Sequence, residues 1–67
     1  MASWSPDEGL RLAVEAAGGI RPLARLLGIA PQSLMGWSRV PADRILQVEA
    51  VTKIRREKLR PDLYRKR

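Results

Sequence analysis

Apolar residues recur along the chain at three- and four-residue steps, broken at short intervals by glycine and proline, and this pattern predicts five short helices. The first opens at "SPDE", where Ser5 has the character of an N-cap, Pro6 fits the first helical position and Glu8 stands at capping-box spacing. Asp7 and Glu8 favour the positive end of its dipole. Leu10, Ala13, Val14 and Ala17 then form one apolar stripe, which Gly18 and Gly19 end as a left-handed cap. The second begins near Arg21 and Pro22, presents Leu23, Leu26 and Leu27 to a core with Arg25 outside, and closes at Gly28. The third runs from about Pro31 to Trp37 or Ser38, burying Leu34 and Trp37 and turning Gln32, Ser33, Met35 and Gly36 outward. After a Val40–Pro41 joint, a fourth from about Ala42 to Lys53 carries Ile45, Leu46, Val48 and Val51. A short fifth, about Arg55 to Leu59, is stopped by Pro61, which leaves "RPDLYRKR" as an extended end.

Composition agrees with an all-α fold. Phenylalanine is absent and the aromatic residues are Trp4, Trp37 and Tyr64, so the core must be built from Leu, Ile, Val and Ala, which suits packed helices better than a small sheet. At 67 residues the chain is a single domain that buries only about 60% of the surface exposed when unfolded. There is neither cysteine nor histidine. Disulfides, Cys/His zinc sites, thiol nucleophiles and Ser-His pairs are thereby excluded, no cofactor or small-molecule ligand is expected, and the chain does not read as an enzyme. No window approaches the ~20 apolar residues of a membrane span and the N-terminus lacks a leader pattern, so the expectation is a cytoplasmic, nucleoid-associated protein.

The net charge of +6 is unevenly placed. Five basic and five acidic residues cancel between Met1 and Thr52, whereas Lys53 to Arg67 holds eight basic residues against Glu57 and Asp62. Such a cationic end on a neutral body fits a polyanion, most often nucleic acid, whose condensed counterions are released on binding. It also fits a solvated terminus whose charge only confers solubility, and less well an anionic membrane surface, since few apolar residues accompany it.

The spacing Leu23, Ala24, Leu27, Gly28, Ile29, Leu34, Trp37 is that of a helix-turn-helix. Ala24 is small where two helices cross, Gly28 supplies the positive φ of the turn, and Ile29, Leu34 and Trp37 pin the following helix steeply onto the preceding one. One helix is then held proud of the body, a shape suited to the major groove, about 12 Å wide.

From Leu10 to Tyr64 the chain resembles the Cro/repressor-type helix-turn-helix proteins of phages and prophages, in particular the YdaS-like Cro group. The resemblance is carried by "AVEAAGG", "LARLLGI", "QSLMGW", "RVPADRILQVEAVT" and "LRPDLY". It implies a compact five-helix, lambda-repressor-like DNA-binding domain over residues 1–64 followed by a basic tail at 65–67, acting as a transcriptional repressor, usually a homodimer on a two-fold symmetric double-stranded operator. Relatives also include antitoxins and activators. The alternative is therefore a protein-interaction module, an antitoxin or antirepressor, with weak or no specific DNA binding.

Carried onto this chain, the resemblance makes 31–38 the recognition helix. Gln32 would bond bidentately to adenine, Ser33 to a phosphate or base edge, and Met35 would meet a thymine methyl. Arg21, Arg39 and Arg44 would reach phosphates or the minor groove, with Arg65, Lys66 and Arg67 along the backbone. Two positions depart from the group. Ala30 stands where relatives carry a capping Ser or Thr, with Pro31 as partial compensation, and Gly36 stands where a long polar side chain is common. A glycine reads no base edge by itself, so Gly36 joins the base-contact set only through close approach of its backbone, leaving shape and phosphates more of the affinity.

Overall fold

A computed structural model of the chain describes residues 6–64. Among these, α1 (Glu8–Ala17), α2 (Ile20–Leu27) and α3 (Pro31–Met35) are followed by a 3-10 turn (Ala42–Arg44) that runs into α4 (Ile45–Thr52), and α5 (Arg56–Leu59) comes last. No strand occurs among the described residues. The expectation of an all-helical domain with five helices is met.

The first helix starts later than the capping pattern suggests. Its N-cap is Asp7, whose carboxylate accepts the Leu10 N–H at 2.9 Å, so Pro6 precedes the cap and Glu8 is the first helical residue. Ser5 lies outside the described residues. An aspartate satisfies an orphan N–H and brings charge to the dipole, which a serine does only in part. Asp7 also donates its own N–H to the Ser38 carbonyl at 2.8 Å, fastening the start of α1 to the chain beyond α3. At the other end Gly18 takes φ 94° and ψ 12°, and the Gly18 and Gly19 N–H groups return to Val14 O and Glu15 O.

The core consists of Leu10, Ala13, Leu23, Ala24, Leu27, Leu34, Val40, Ile45, Val48 and Leu59, with Val14, Ala17, Ile20, Ile29, Trp37, Val51, Ile54 and Tyr64 packed partly against it. Leu26, expected inside, is not there, and Leu46 of α4 is exposed as well. Leu26 is 50% exposed and Leu46 is 59% exposed. Each lies beside a buried neighbour but one residue, about 100° of helical rotation, off the buried stripe.

Three further differences concern helix ends. The third helix has five residues and stops at Met35, with Gly36 as its cap, rather than continuing to Trp37 or Ser38. The fourth keeps its expected span but opens as a 3-10 turn, closed by Arg44 N–H on Pro41 O at 2.9 Å, and after Thr52 it is capped by Lys53 with φ 65°. Beyond Leu59 the chain does not extend but folds back: Leu63 and Tyr64 N–H groups both donate to Arg60 O, at 3.0 and 3.1 Å, and Arg60 is buried. This segment closes over α1 at Gly9, where a Cβ would collide with the Leu59 carbonyl oxygen and come 2.8 Å from its carbon. Only glycine lets the two backbones approach so closely.

Candidate nucleic-acid interface

The helix-turn-helix stands on apolar contacts made by α2 and the one buried side chain of α3. Leu23, Ala24 and Leu27 line the inner face of α2, and Leu34 is wholly buried from α3. Between the helices Gly28 adopts φ 73° and ψ 30°, and the Ile29 N–H returns to Ala24 O at 3.0 Å, turning the chain within three residues. Ile29 and Trp37 flank the junction, half-buried. Six residues of the expected helix-turn-helix spacing, Leu23, Ala24, Leu27, Ile29, Leu34 and Trp37, thus fall in the core or against it, while the seventh, Gly28, is exposed and makes the turn.

With Leu34 anchoring it, α3 presents Gln32, Ser33 and Met35 to solvent, and Gly36 is exposed at its end. Ala30 makes no side-chain capping bond and Pro31 occupies the first turn. The Ser33 N–H and Leu34 N–H are instead taken by Ala30 O, at 3.0 and 3.3 Å. Gly36 has φ −80° and ψ −7°, open to any residue, and a Cβ there would come no nearer than 3.4 Å to Ser33 O. The fold therefore does not itself require a glycine at position 36.

Arginines surround this helix. Arg21 is exposed in the first turn of α2, Arg39 is exposed beyond α3, and Arg44 is half-buried before α4. Two of them are held by partners that residue type alone does not announce. Arg44 donates to Gln47 Oε1 at 2.9 Å, and the Gln47 amide donates to Leu27 O at 3.1 Å, so one glutamine satisfies a carbonyl at the end of α2 and orients an arginine beside the turn. Arg39 Nη1 lies 3.5 Å from Asp62 Oδ2.

Asp62 is itself gripped by Arg60, whose Nε and Nη2 donate to its two oxygens at 2.9 and 2.7 Å, while Nη1 donates to Val40 O at 2.8 Å. The forked bonds from Arg60, helped by backbone hydrogen bonding and then by the charges of Arg60 and Arg39, outweigh desolvation and hold the Asp62 carboxyl at about 2. Arg60, counted by charge among the basic residues of the C-terminal end, is thus a buried clamp and not a free cation. Gln47, Arg60 and Asp62 escape a reading by spacing because each also has a partner about twenty residues away: Leu27 O, Val40 O and Arg39. Arg65, Lys66 and Arg67 lie outside the described residues.

No group of three metal-binding side chains occurs among the described residues, and no helix among them is long and apolar enough to cross a membrane. The family model for the bacterial toxin YdaS matches residues 10–67. The chain belongs to the YdaS family. Among solved structures, this YdaS-family chain is similar to the Cro protein from the putative prophage element Xfaso 1 in Xylella fastidiosa strain Ann-1, at 30% identity and a TM-score of 0.76, covering 87% of this chain and 97% of that one. No curated protein matches it. The YdaS-family chain is therefore Cro-like in fold, with a helix-turn-helix at its centre.

Proposed function

We propose that the protein is a sequence-specific double-stranded DNA-binding transcriptional regulator of Cro type, a repressor that reads the major groove with α3 as a homodimer. The observation that carries this reading is the placement of Gln32, Ser33 and Met35 on the outer face of a helix anchored by Leu34, with Arg21, Arg39 and Arg44 around it. Gln32 reads an adenine, Ser33 a phosphate or base edge, Met35 a thymine methyl, and Gly36 brings backbone close to the duplex. The arginines neutralise phosphates and set the register. Residues 1–64 form the binding domain and Arg65, Lys66 and Arg67 add backbone contacts.

Likeness to a Cro protein supports this reading, as does the net charge of +6. The second reading, a toxin, antitoxin or antirepressor that binds a protein, is favoured by the toxin description of the family and by the exposed Leu26, Met35, Leu46 and Leu63. Selection from random duplexes, followed by titration at two salt concentrations, separates the two. The regulator enriches one palindrome with half-sites about 34 Å apart. Gln32→Ala then lowers affinity for that palindrome by roughly 1–3 kcal/mol and relaxes preference at one base pair, with the salt slope intact. Uniform binding that disappears at higher salt would point to the protein-binding reading.

A further inference from the structure

The turn at residues 38–40 is fastened on both sides of Arg39. Ser38 O accepts the Asp7 N–H at 2.8 Å, Val40 O accepts Arg60 Nη1 at 2.8 Å, and the Val40 side chain is wholly buried. The arginine between them thus springs from a fixed backbone at the edge of α3, with its guanidinium 3.5 Å from Asp62. Asp62 is equally fixed, since both its oxygens are held by the buried Arg60. A rigid carboxylate is accordingly presented to Arg39, the first arginine after the candidate recognition helix.

The two groups are unequally bound. Asp62 has a forked, charge-assisted partner in Arg60, whereas Arg39 touches it singly, and the Arg39 and Asp62 side chains are 56% and 49% exposed. A half-exposed, single-pronged pair is weak and yields readily to a competing anion. A carboxylate also offers a guanidinium the same kind of oxygen edge as a phosphate.

We infer that Asp62 is a positioning residue that holds Arg39 beside α3 and competes with DNA phosphate for it. The inference rests on the DNA-binding reading above. A phosphate held in register by the rest of the interface displaces Asp62 from Arg39, while a phosphate passing in a loose, non-specific encounter does not. Asp62 thereby lowers binding to unrelated DNA more than binding to a well-matched site. Arg60 keeps the carboxylate in place throughout, so Arg39 can exchange partners without the turn coming apart.

The test is a salt titration of wild type, Asp62→Asn, Arg39→Gln and the double variant on a random-sequence duplex. Asparagine preserves shape and one acceptor for Arg60 while removing the charge. Asp62→Asn is expected to steepen the salt slope by about one phosphate contact, which is about 3.5-fold more affinity lost between 50 and 200 mM salt. In the Arg39→Gln background the same change should have no effect, because the arginine for which Asp62 competes is gone. A steepening that persists without Arg39 overturns the inference and assigns the effect to general charge or to Arg60. An unchanged slope in the single variant also overturns it while leaving DNA binding intact, whereas failure of the wild type to bind any duplex overturns both the inference and the reading beneath it. Should the asparagine variant not fold, carbon-13 NMR of the Asp62 carboxyl in the wild type gives a second readout: its resonance is expected to move when duplex is added, and a stationary signal at saturation overturns the inference.

Discussion

The helix-turn-helix and the C-terminal segment are both short, but they are held to the body by different means. Residues 20–37 are fastened by apolar side chains at regular spacing, Leu23, Ala24, Leu27 and Leu34, with a glycine for the turn. Residues 56–64 contribute Leu59 to the core with Tyr64 packed partly against it, and are otherwise tied to the body by Arg60 on Val40 O and the Arg56 N–H on Glu49 Oε2, while Arg60 on Asp62 and the Arg56 guanidinium 5.7 Å from the Tyr64 ring centroid brace the segment internally. A four-residue helix covers too little apolar surface to fix its own position. Charge-assisted hydrogen bonds supply direction where area is scarce. The candidate interface thus rests on packing, and the segment that fastens the turn beside it rests on geometry.

The largest effect is expected from the apolar side of this contrast. Leu34→Ala removes the one side chain by which α3 is buried and should cost roughly 2–5 kcal/mol in urea unfolding. That loss should be insensitive to pH, since no titrating group touches the mechanism. Next comes Gly9→Ala, which forces α1 away from the Leu59 carbonyl and should destabilise by about 1–3 kcal/mol, although alanine is the better helix former. An increase in Tm for this variant would show that the two backbones are not in contact.

The polar side of the contrast is exposed by pH. The Asp62 carboxyl is depressed to about 2 in the folded protein, below its ordinary value of 3.8, so its contribution is fully present above the ordinary value and is lost as pH falls through about 2. The stability advantage of wild type over Asp62→Asn should therefore be constant near neutrality and shrink progressively below pH ~4. Unfolding midpoints measured from pH 6 to pH 2 would reveal it, and a difference that stays constant to pH 2 would count against the clamp. The smallest effect is expected at Gly36→Ala, where backbone and space both admit a side chain: stability should change by no more than about 0.5 kcal/mol. A fall in DNA affinity without a fall in stability would then locate a close contact at that backbone.

The same contrast governs how much could be read before the structure. Apolar periodicity placed every helix, and the Leu23-to-Trp37 spacing placed the helix-turn-helix together with the outward face of α3. It failed by one residue at Leu26, because a run of adjacent leucines is wider than the face an eight-residue helix buries. Helix ends were misplaced where two acceptable caps stood close together, as with Ser5 and Asp7, or where an αR glycine let the helix stop early, as at Gly36. Polar contacts between distant residues were invisible. Arg60 reaches Val40 and Gln47 reaches Leu27 across twenty positions in each case, and neither pairing leaves a trace in local spacing or in a tally of charge.

The contact between Gly9 and Leu59 also bears on how the chain reaches its fold. Helical proteins usually fold quickly because their contacts are local, but this one joins two positions separated by most of the described chain, and bringing them together costs loop entropy before any packing is gained. The turn between α2 and α3 has no such delay. Folding should therefore proceed from the middle outward, and the amides of α1 and α5 should exchange with solvent together, as one cooperative unit that opens while the helix-turn-helix stays closed.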